Sequence, residues 1–223
     1  MRTNAEMSGN GGMKGLFAVD VDGTLITDNG EITAKVYDAL EKAYAAGWET
    51  IIATGRTYYA ARRIVESLPF IKYAILSNGA CIVNLRESSI MHQKTIPAGV
   101  AGDVVKLIRR NGAVPVLYST DIYNQQIYYD TTEGACDFFV WYVNNDKRSA
   151  RVSDIMAFAE HTQQIGTIAA RESILKIKAE MFPISAVPMT LPFESPHFGG
   201  KNHDFWFLQV VPEGISKNAA IRK

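Results

Sequence analysis

The sequence predicts an α/β fold, a doubly wound parallel sheet with a second α+β unit inserted into it, and three apolar runs carry that expectation. Leu16-Phe17-Ala18-Val19, Thr50-Ile51-Ile52-Ala53 and Tyr73-Ala74-Ile75-Leu76 are short and do not alternate, as strands buried on both faces do not. Each ends in a polar, glycine-containing loop: Asp20-Val21-Asp22-Gly23, Thr54-Gly55-Arg56 and Ser77-Asn78-Gly79. Segments of helical length separate the runs, so a parallel sheet is the economical topology. In such a sheet the three strand ends gather on one edge, where ligands bind.

Between the first two runs, the turn signal Asp28-Asn29-Gly30 precedes Ile32, Val36, Ala39, Leu40 and Ala43 at helical spacing. Thr33 can cap that helix and Gly47 can end it. A second helix is expected over about 57–68, stopped by Pro69. From about Cys81 the pattern changes. Ile82-Val83-Asn84 and Ile90-Met91-His92, around Arg86-Glu87-Ser88, read as an antiparallel hairpin. Residues 98–110 read as a helix in which Arg109-Arg110 end favourably, 114–118 and 126–129 as strands, and 132–143 as a helix. Ile174-Leu175-Lys176-Ile177-Lys178-Ala179 alternates like a half-exposed strand, and 205–211 reads as another. Pro183, Pro188, Pro192 and Pro196 predict loop or broken structure, since a proline inside a helix costs about 3 kcal/mol. The expected division is therefore a core of residues 1–81 and 212–223, with 1–14 as a flexible leader, and an inserted unit at 82–211.

With 223 residues and 47% hydrophobic content, the chain can bury a core in each unit. Its 23 acidic and 23 basic residues leave no net field to draw in nucleic acid or an anionic membrane. No stretch approaches the roughly 20 apolar residues of a membrane-spanning helix. Cys81 and Cys136 have no metal or redox spacing and are expected to be reduced, in a cytoplasmic protein. His92, His161, His197 and His203 share no ligand spacing and read as surface or loop residues. Phe138, Phe139, Trp141 and Tyr142 read as a packed face, able to shape a substrate pocket.

The loop after the first run carries the chemistry. A carboxylate at a strand tip, Asp20, with Asp22 two residues on and then Gly23-Thr24, suits phosphoryl transfer. Asp20 would form an aspartyl-phosphate, and Asp22 would work as general acid and then base. Gly23 admits the phosphate close to the backbone, where the Thr24 amide and hydroxyl can donate. The competing reading is a plain Asp-Gly turn. Thr54 offers a hydroxyl at the neighbouring strand end, and Lys217 a charge that would neutralise both Asp20 and the phosphoryl group. A dinucleotide-binding domain is disfavoured because no GxGxxG follows the first strand.

Taken in order, DVDGTL at 20–25, ATGR at 53–56, SNGA at 77–80 and EGISK at 213–217 resemble the haloacid dehalogenase superfamily. The resemblance is to its phosphatases with a large α/β cap inserted after the third strand of a Rossmann-like core. It implies Asp20 as nucleophile, Asp22 as acid/base, Lys217 as the neutralising lysine and Thr54 as a phosphate binder. It places Gly23, Thr24, Gly55, Arg56, Asn78 and Gly79 at the substrate. It implies Mg²⁺ on Asp20 and on Asp22 through its main-chain carbonyl, and a small phosphorylated metabolite as partner. In the family a later Gly-Asp loop completes the metal site, and none follows Lys217 up to Lys223. Gly102-Asp103, Asn144-Asn145-Asp146 and Lys201-Asn202-His203-Asp204 do not follow a suitable strand and are not expected to substitute. The resulting expectation is a C-terminally truncated core with an uncovered apolar edge and weak metal binding. The alternative to a phosphatase is then a relative that binds a phosphorylated ligand without turnover.

Overall fold

A computed structural model describes residues 14–27, 29–195 and 200–222. Residues 1–13 of the predicted leader, Asp28, Pro196 and His197 lie outside the described residues.

The three apolar runs become β1 (Gly15–Val19), β2 (Trp48–Ala53) and β3 (Tyr73–Leu76), paired in parallel. Between them lie α1 (Ala34–Ala45) and α2 (Tyr58–Glu66). Thr33 and Thr57 cap these helices by accepting from the amides of Val36 and Ala60, the hydrogen bonds that threonine supplies at a helix start. Leu40 of α1 and Ala61, Ile64 and Val65 of α2 pack with Ile52, Ala74 and Leu76 on one face of the sheet. On the other face, Ile51, Ala53 and Ile75 pack with Ala220 of α6 (Lys217–Ile221). Helices on both faces of a parallel-centred sheet make this the expected Rossmann-like α/β core.

The hairpin does not sit where the sequence placed it. Its strands β4 (Cys81–Asn84) and β5 (Ser89–Gln93) extend the first sheet to the order β1-β2-β3-β4-β5, antiparallel to β3. All four residues of β4 are buried, Cys81 and Val83 in the core under α2, so packing assigns the hairpin to this sheet. The opposite edge is β1, where Leu16 and neighbouring Trp48 are exposed.

A second sheet holds α3 (Ala98–Arg110), β6 (Val116–Ser119), β7 (Ile127–Tyr129), α4 (Asp137–Asn145), β8 (Ser149–Arg151), β9 (Thr162–Ala170), α5 (Arg171–Glu180), β10 (Ala186–Ser195) and β11 (Gly200–Pro212) around it. Its order is β10-β11-β9-β6-β7-β8. Two expectations fail here. The alternating run at 174–179 is helix α5, because Ile174, Ile177 and Met181 follow a 3-then-4 spacing that buries all three against the second core. Of the proline-rich stretch, Pro188 and Pro192 lie in strand β10, while Pro183 lies in the turn before it as expected. Pro188 and Pro192 lie four residues apart, so both ring nitrogens face the same side, and at a sheet edge that side needs no donor. The predicted helix at 132–143 starts later, at Asp137.

Candidate active site

Strand β11 runs from the second sheet back to the first, and the loop after it delivers Lys217 to the end of β1. Ser216 caps α6 there by accepting from the amide of Ala219. The loops after β2 and β3 are stitched to one another: the amides of Ser77 and Asn78 donate to the carbonyls of Arg56 and Thr54 at 2.9 and 3.1 Å. These bonds hold Ser77, Asn78 and Gly79 at φ of 49°, 59° and 104°, a run of left-handed backbone of the kind that collects at functional sites. Gly79 is required: a Cβ there would stand 2.4 Å from the carbonyl oxygen of Ser216. A Cβ at Gly55 would lie 2.8 Å from Asn78 Oδ1, so the Asn78 side chain would have to shift to admit one.

Asp20 Oδ1 accepts from Lys217 Nζ and from the Val21 amide, at 2.7 and 2.8 Å. Its Oδ2 carries no hydrogen bond among the described residues. Asp22 is held by Arg56, whose Nε lies 3.2 Å from both carboxylate oxygens and whose second terminal nitrogen lies 2.7 Å from Oδ1. Gly23, at φ 71°, turns the chain so that the Val21 carbonyl accepts from the Leu25 and Ile26 amides.

These groups open on a cavity of about 630 Å³. Of the residues singled out from sequence, Asp20, Asp22, Gly55, Arg56, Asn78 and Lys217 line it. Gly23, Thr24, Thr54 and Gly79 do not stand on its wall. Thr54 is fully buried behind it, with Oγ1 accepting from the Arg56 amide at 3.1 Å. Gly79 packs against Ser216 and so positions the loop that carries Lys217.

The start of α2 adds Thr57, Tyr59 and Ala60, and the second-sheet unit supplies the rest of the wall, which was not assembled from sequence. Tyr118 and Tyr142 share a hydrogen bond of 2.6 Å between their hydroxyls. Burial pushes Tyr118 well above its ordinary pKa and Tyr142 up to about 12, so both stay neutral. Arg148 pairs with Asp146 through Nε at 3.0 Å and a terminal nitrogen at 2.7 Å, and its other terminal nitrogen reaches Gln125 Oε1 at 2.8 Å and Thr57 Oγ1 at 3.2 Å. The guanidinium also lies 4.3 Å from the centre of the Tyr59 ring. Burial would lower the Arg148 pKa, but its hydrogen bond to Asp146 and that carboxylate's charge outweigh it and hold it above the ordinary value. Asp146, weighed from sequence as a metal-loop substitute, is thus committed to an arginine. These residues are scattered over 118–209 in the chain, and only the aromatic run at 138–142 hinted at a pocket wall.

The donor set is consistent with Mg²⁺ as a partial site. The Asp20 carboxylate is 46% exposed, and magnesium commonly binds through one or two carboxylates while keeping waters and substrate oxygens. Among the described residues no group of three or more His, Cys, Asp or Glu side chains is placed to hold a metal.

Residues 17–223 match the sequence profile of the haloacid dehalogenase-like hydrolases. The chain belongs to that family. A relative, the phosphatase YwpJ of Bacillus subtilis (strain 168), is 30% identical over 112 residues, 50% of this chain and 39% of its own. Pyridoxal phosphate phosphatase YbhA of Escherichia coli (strain K12) is 26% identical over 106 residues, 48% of this chain and 39% of its own. The match therefore spans well under half the length of either relative. Among solved structures, BT1666 of Bacteroides thetaiotaomicron, from the phosphatases of the haloalkanoate (HAD) enzyme superfamily, superposes with a TM-score of 0.71 at 22% identity. That superposition covers 99% of this chain and 75% of BT1666, and it shows the shared fold. Among the described residues no helix is long and apolar enough to cross a membrane.

Proposed function

We propose that this chain hydrolyses small phosphate monoesters, of the sugar phosphate or nucleotide type, through an aspartyl-phosphate on Asp20, with Mg²⁺ as cofactor. One observation carries the reading: Asp20 has one oxygen fixed by Lys217 and a main-chain amide, and the other free of hydrogen bonds among the described residues. That is the posture of an oriented nucleophile.

In this reading Oδ2 bonds to phosphorus while the ester P–O bond breaks, and Asp22 gives the leaving oxygen its proton. Water then attacks the same phosphorus, Asp22 takes its proton, and the bond to Asp20 breaks. Asp22 must first leave Arg56, and an arriving phosphate is a stronger competitor for the guanidinium. Asn78, on the cavity wall, would donate to a phosphate oxygen, while Thr54, buried behind the wall with its hydroxyl accepting from the Arg56 amide, would hold that loop in place. Mg²⁺, held by Asp20 and the Asp22 carbonyl, would offset repulsion between nucleophile and substrate. The parallel-sheet unit would carry this chemistry and the second-sheet unit would act as the cap, with the hairpin at 81–93 counted with the former. A cytoplasmic site of action accords with Cys81 and Cys136 both being free thiols.

The second reading is binding of a phosphorylated ligand without turnover, favoured by both carboxylates already being paired with cations. Hydrolysis of a chromogenic phosphate ester, with and without Mg²⁺, separates the two. We expect hydrolysis that requires Mg²⁺ and falls at least about a thousandfold in Asp20→Asn. Equal rates in the variant would overturn the aspartyl-phosphate route, and no hydrolysis by folded protein would leave the binding reading.

A further inference from the structure

Between β6 and β7 a loop of the second-sheet unit leaves its own sheet and enters the other unit. Its Ile122 is 3% exposed and belongs to the core that α1 and α2 form with the first sheet; every other buried member of that core lies between residues 21 and 83. Beside it the Tyr123 ring meets the Tyr58 ring edge to face, with centroids 4.9 Å apart. The loop is shaped from within, since Asp121 Oδ1 accepts from the amides of Tyr123 and Asn124 at 3.2 and 3.1 Å. It is also tied at its start, where Gln93 Nε2 at the end of β5 donates to the Thr120 carbonyl at 2.6 Å. Tyr58 is the middle one of three successive residues at the start of α2 that the second-sheet unit holds. Thr57 accepts from Arg148, and the Tyr59 ring lies against the same guanidinium. Arg56, which grips Asp22, comes immediately before them. Thr57 and Tyr59 line the cavity, whereas Tyr58, Ile122 and Tyr123 stand behind it. Lifting the second-sheet unit away would draw Ile122 out of an apolar core into water and part the two rings, besides freeing Arg148. With the units together, Asp20 and Asp22 are already 46% and 58% exposed, so a ligand reaches them without the units parting.

We infer that Ile122 and Tyr123 are positioning residues: their loop is a standing anchor that fixes the start of α2, and Arg56 with it, against the second-sheet wall, and the units stay together as a ligand enters or leaves. This rests on the proposed function only in treating the cavity as the active site. The anchor itself stands or falls on a distance between the units. Its consequence for the reaction is that the spacing of Arg56, Thr57 and Tyr59 from the second-sheet wall is set before any ligand arrives, so no part of the binding free energy goes into closing the site.

The test is that distance, read by double electron–electron resonance between nitroxides on Lys35→Cys of α1 and Lys106→Cys of α3, both exposed, in the whole chain carrying Cys136→Ser. Cys81 stays, because burial pushes its thiol up to about 12 and keeps it unlabelled. This labelled parent should give one narrow distribution, the same with and without inorganic phosphate and Mg²⁺. Adding Ile122→Ala and Tyr123→Ala together should broaden it toward longer distances. Tyr123→Phe drops a hydroxyl that has no partner among the described residues and keeps the ring, so it should leave the distribution narrow. A broad or two-peaked distribution in the parent, a shift on adding phosphate, or a narrow distribution in the doubly substituted chain overturns the inference. Should that chain not fold by circular dichroism, Tyr123→Ala alone is measured and judged by the same outcomes. On a chromogenic ester, kcat/KM should fall roughly tenfold in the doubly substituted chain and hold in Tyr123→Phe, as misplaced binding groups require. An unchanged kcat/KM beside a broadened distribution overturns the positioning role. Distances as expected with no hydrolysis by any of these chains would support the anchor and sink the catalytic reading alone.

Discussion

At the strand-end side of the cavity the ion pairs stand partly in solvent: the side chains of Asp22 and Arg56 are 58% and 33% exposed, those of Asp20 and Lys217 46% and 33%. On the second-sheet side the Asp146–Arg148 pair is at 12% and 10%. The same chemistry therefore does two jobs. An exposed pair contributes little to stability and can be exchanged for an incoming phosphate at small cost. A buried pair is expensive to break, because the survivor is left as an uncompensated charge away from water. The open pairs suit groups that must change partners during a reaction, and the closed pair suits a wall whose shape is to stay fixed.

The contrast breaks most visibly at Arg148. Arg148→Met strands Asp146 and removes the donor that Gln125 and Thr57 share, so we expect a loss of about 3 kcal/mol or more in urea unfolding. Replacing both members, Asp146→Leu with Arg148→Met, should recover much of that loss, since an apolar pair needs no partner. A single variant that loses less than about 1 kcal/mol would put this pair in the class of the exposed ones.

The strand-end side was legible in the sequence and the other wall was not, for a physical reason. Asp20, Asp22, Gly55, Arg56 and Asn78 sit in loops directly after short apolar strands, so neighbours in sequence become neighbours in the site. The second wall is built across strands, from Tyr118 on β6, Gln164 on β9 and Gln209 on β11, which only register brings together. Strand β9 itself escaped because Thr162, Gln163, Gln164 and Thr167 are polar and still buried, and Gly166 interrupts the run. The hydrophobic period that reveals strands is missing when a central strand carries polar groups inward. At α5 the short run satisfied both periods, and only the position of Met181 beyond it decides for helix.

A smaller effect probes the tyrosines of the closed wall. Tyr142 ionises near 10 when unfolded and is pushed up to about 12 by burial, with Tyr118 also raised. The folded state thus holds protons that the unfolded chain gives up. Stability from this source is complete below about pH 10 and lost as pH climbs toward about 12, because the unfolded state binds fewer protons there. Urea midpoints at pH 9, 10 and 11 should fall, and fall less steeply in Tyr142→Phe, which has one such group fewer. Parallel slopes in the two proteins would show that the pair does not titrate as a buried unit.

The smallest effect on stability should come from Arg56, although its side chain makes three hydrogen bonds to its carboxylate and that of Arg148 makes two to Asp146. Asp22 is solvated, so removing the guanidinium returns it to water and strands nothing. Arg56→Met should shift the unfolding free energy by no more than about 1 kcal/mol. A loss as large as that of Arg148→Met would mean that Arg56 holds the two strand-end loops together and is not free to leave Asp22, and the picture of an exchangeable pair at the nucleophile would fail with it.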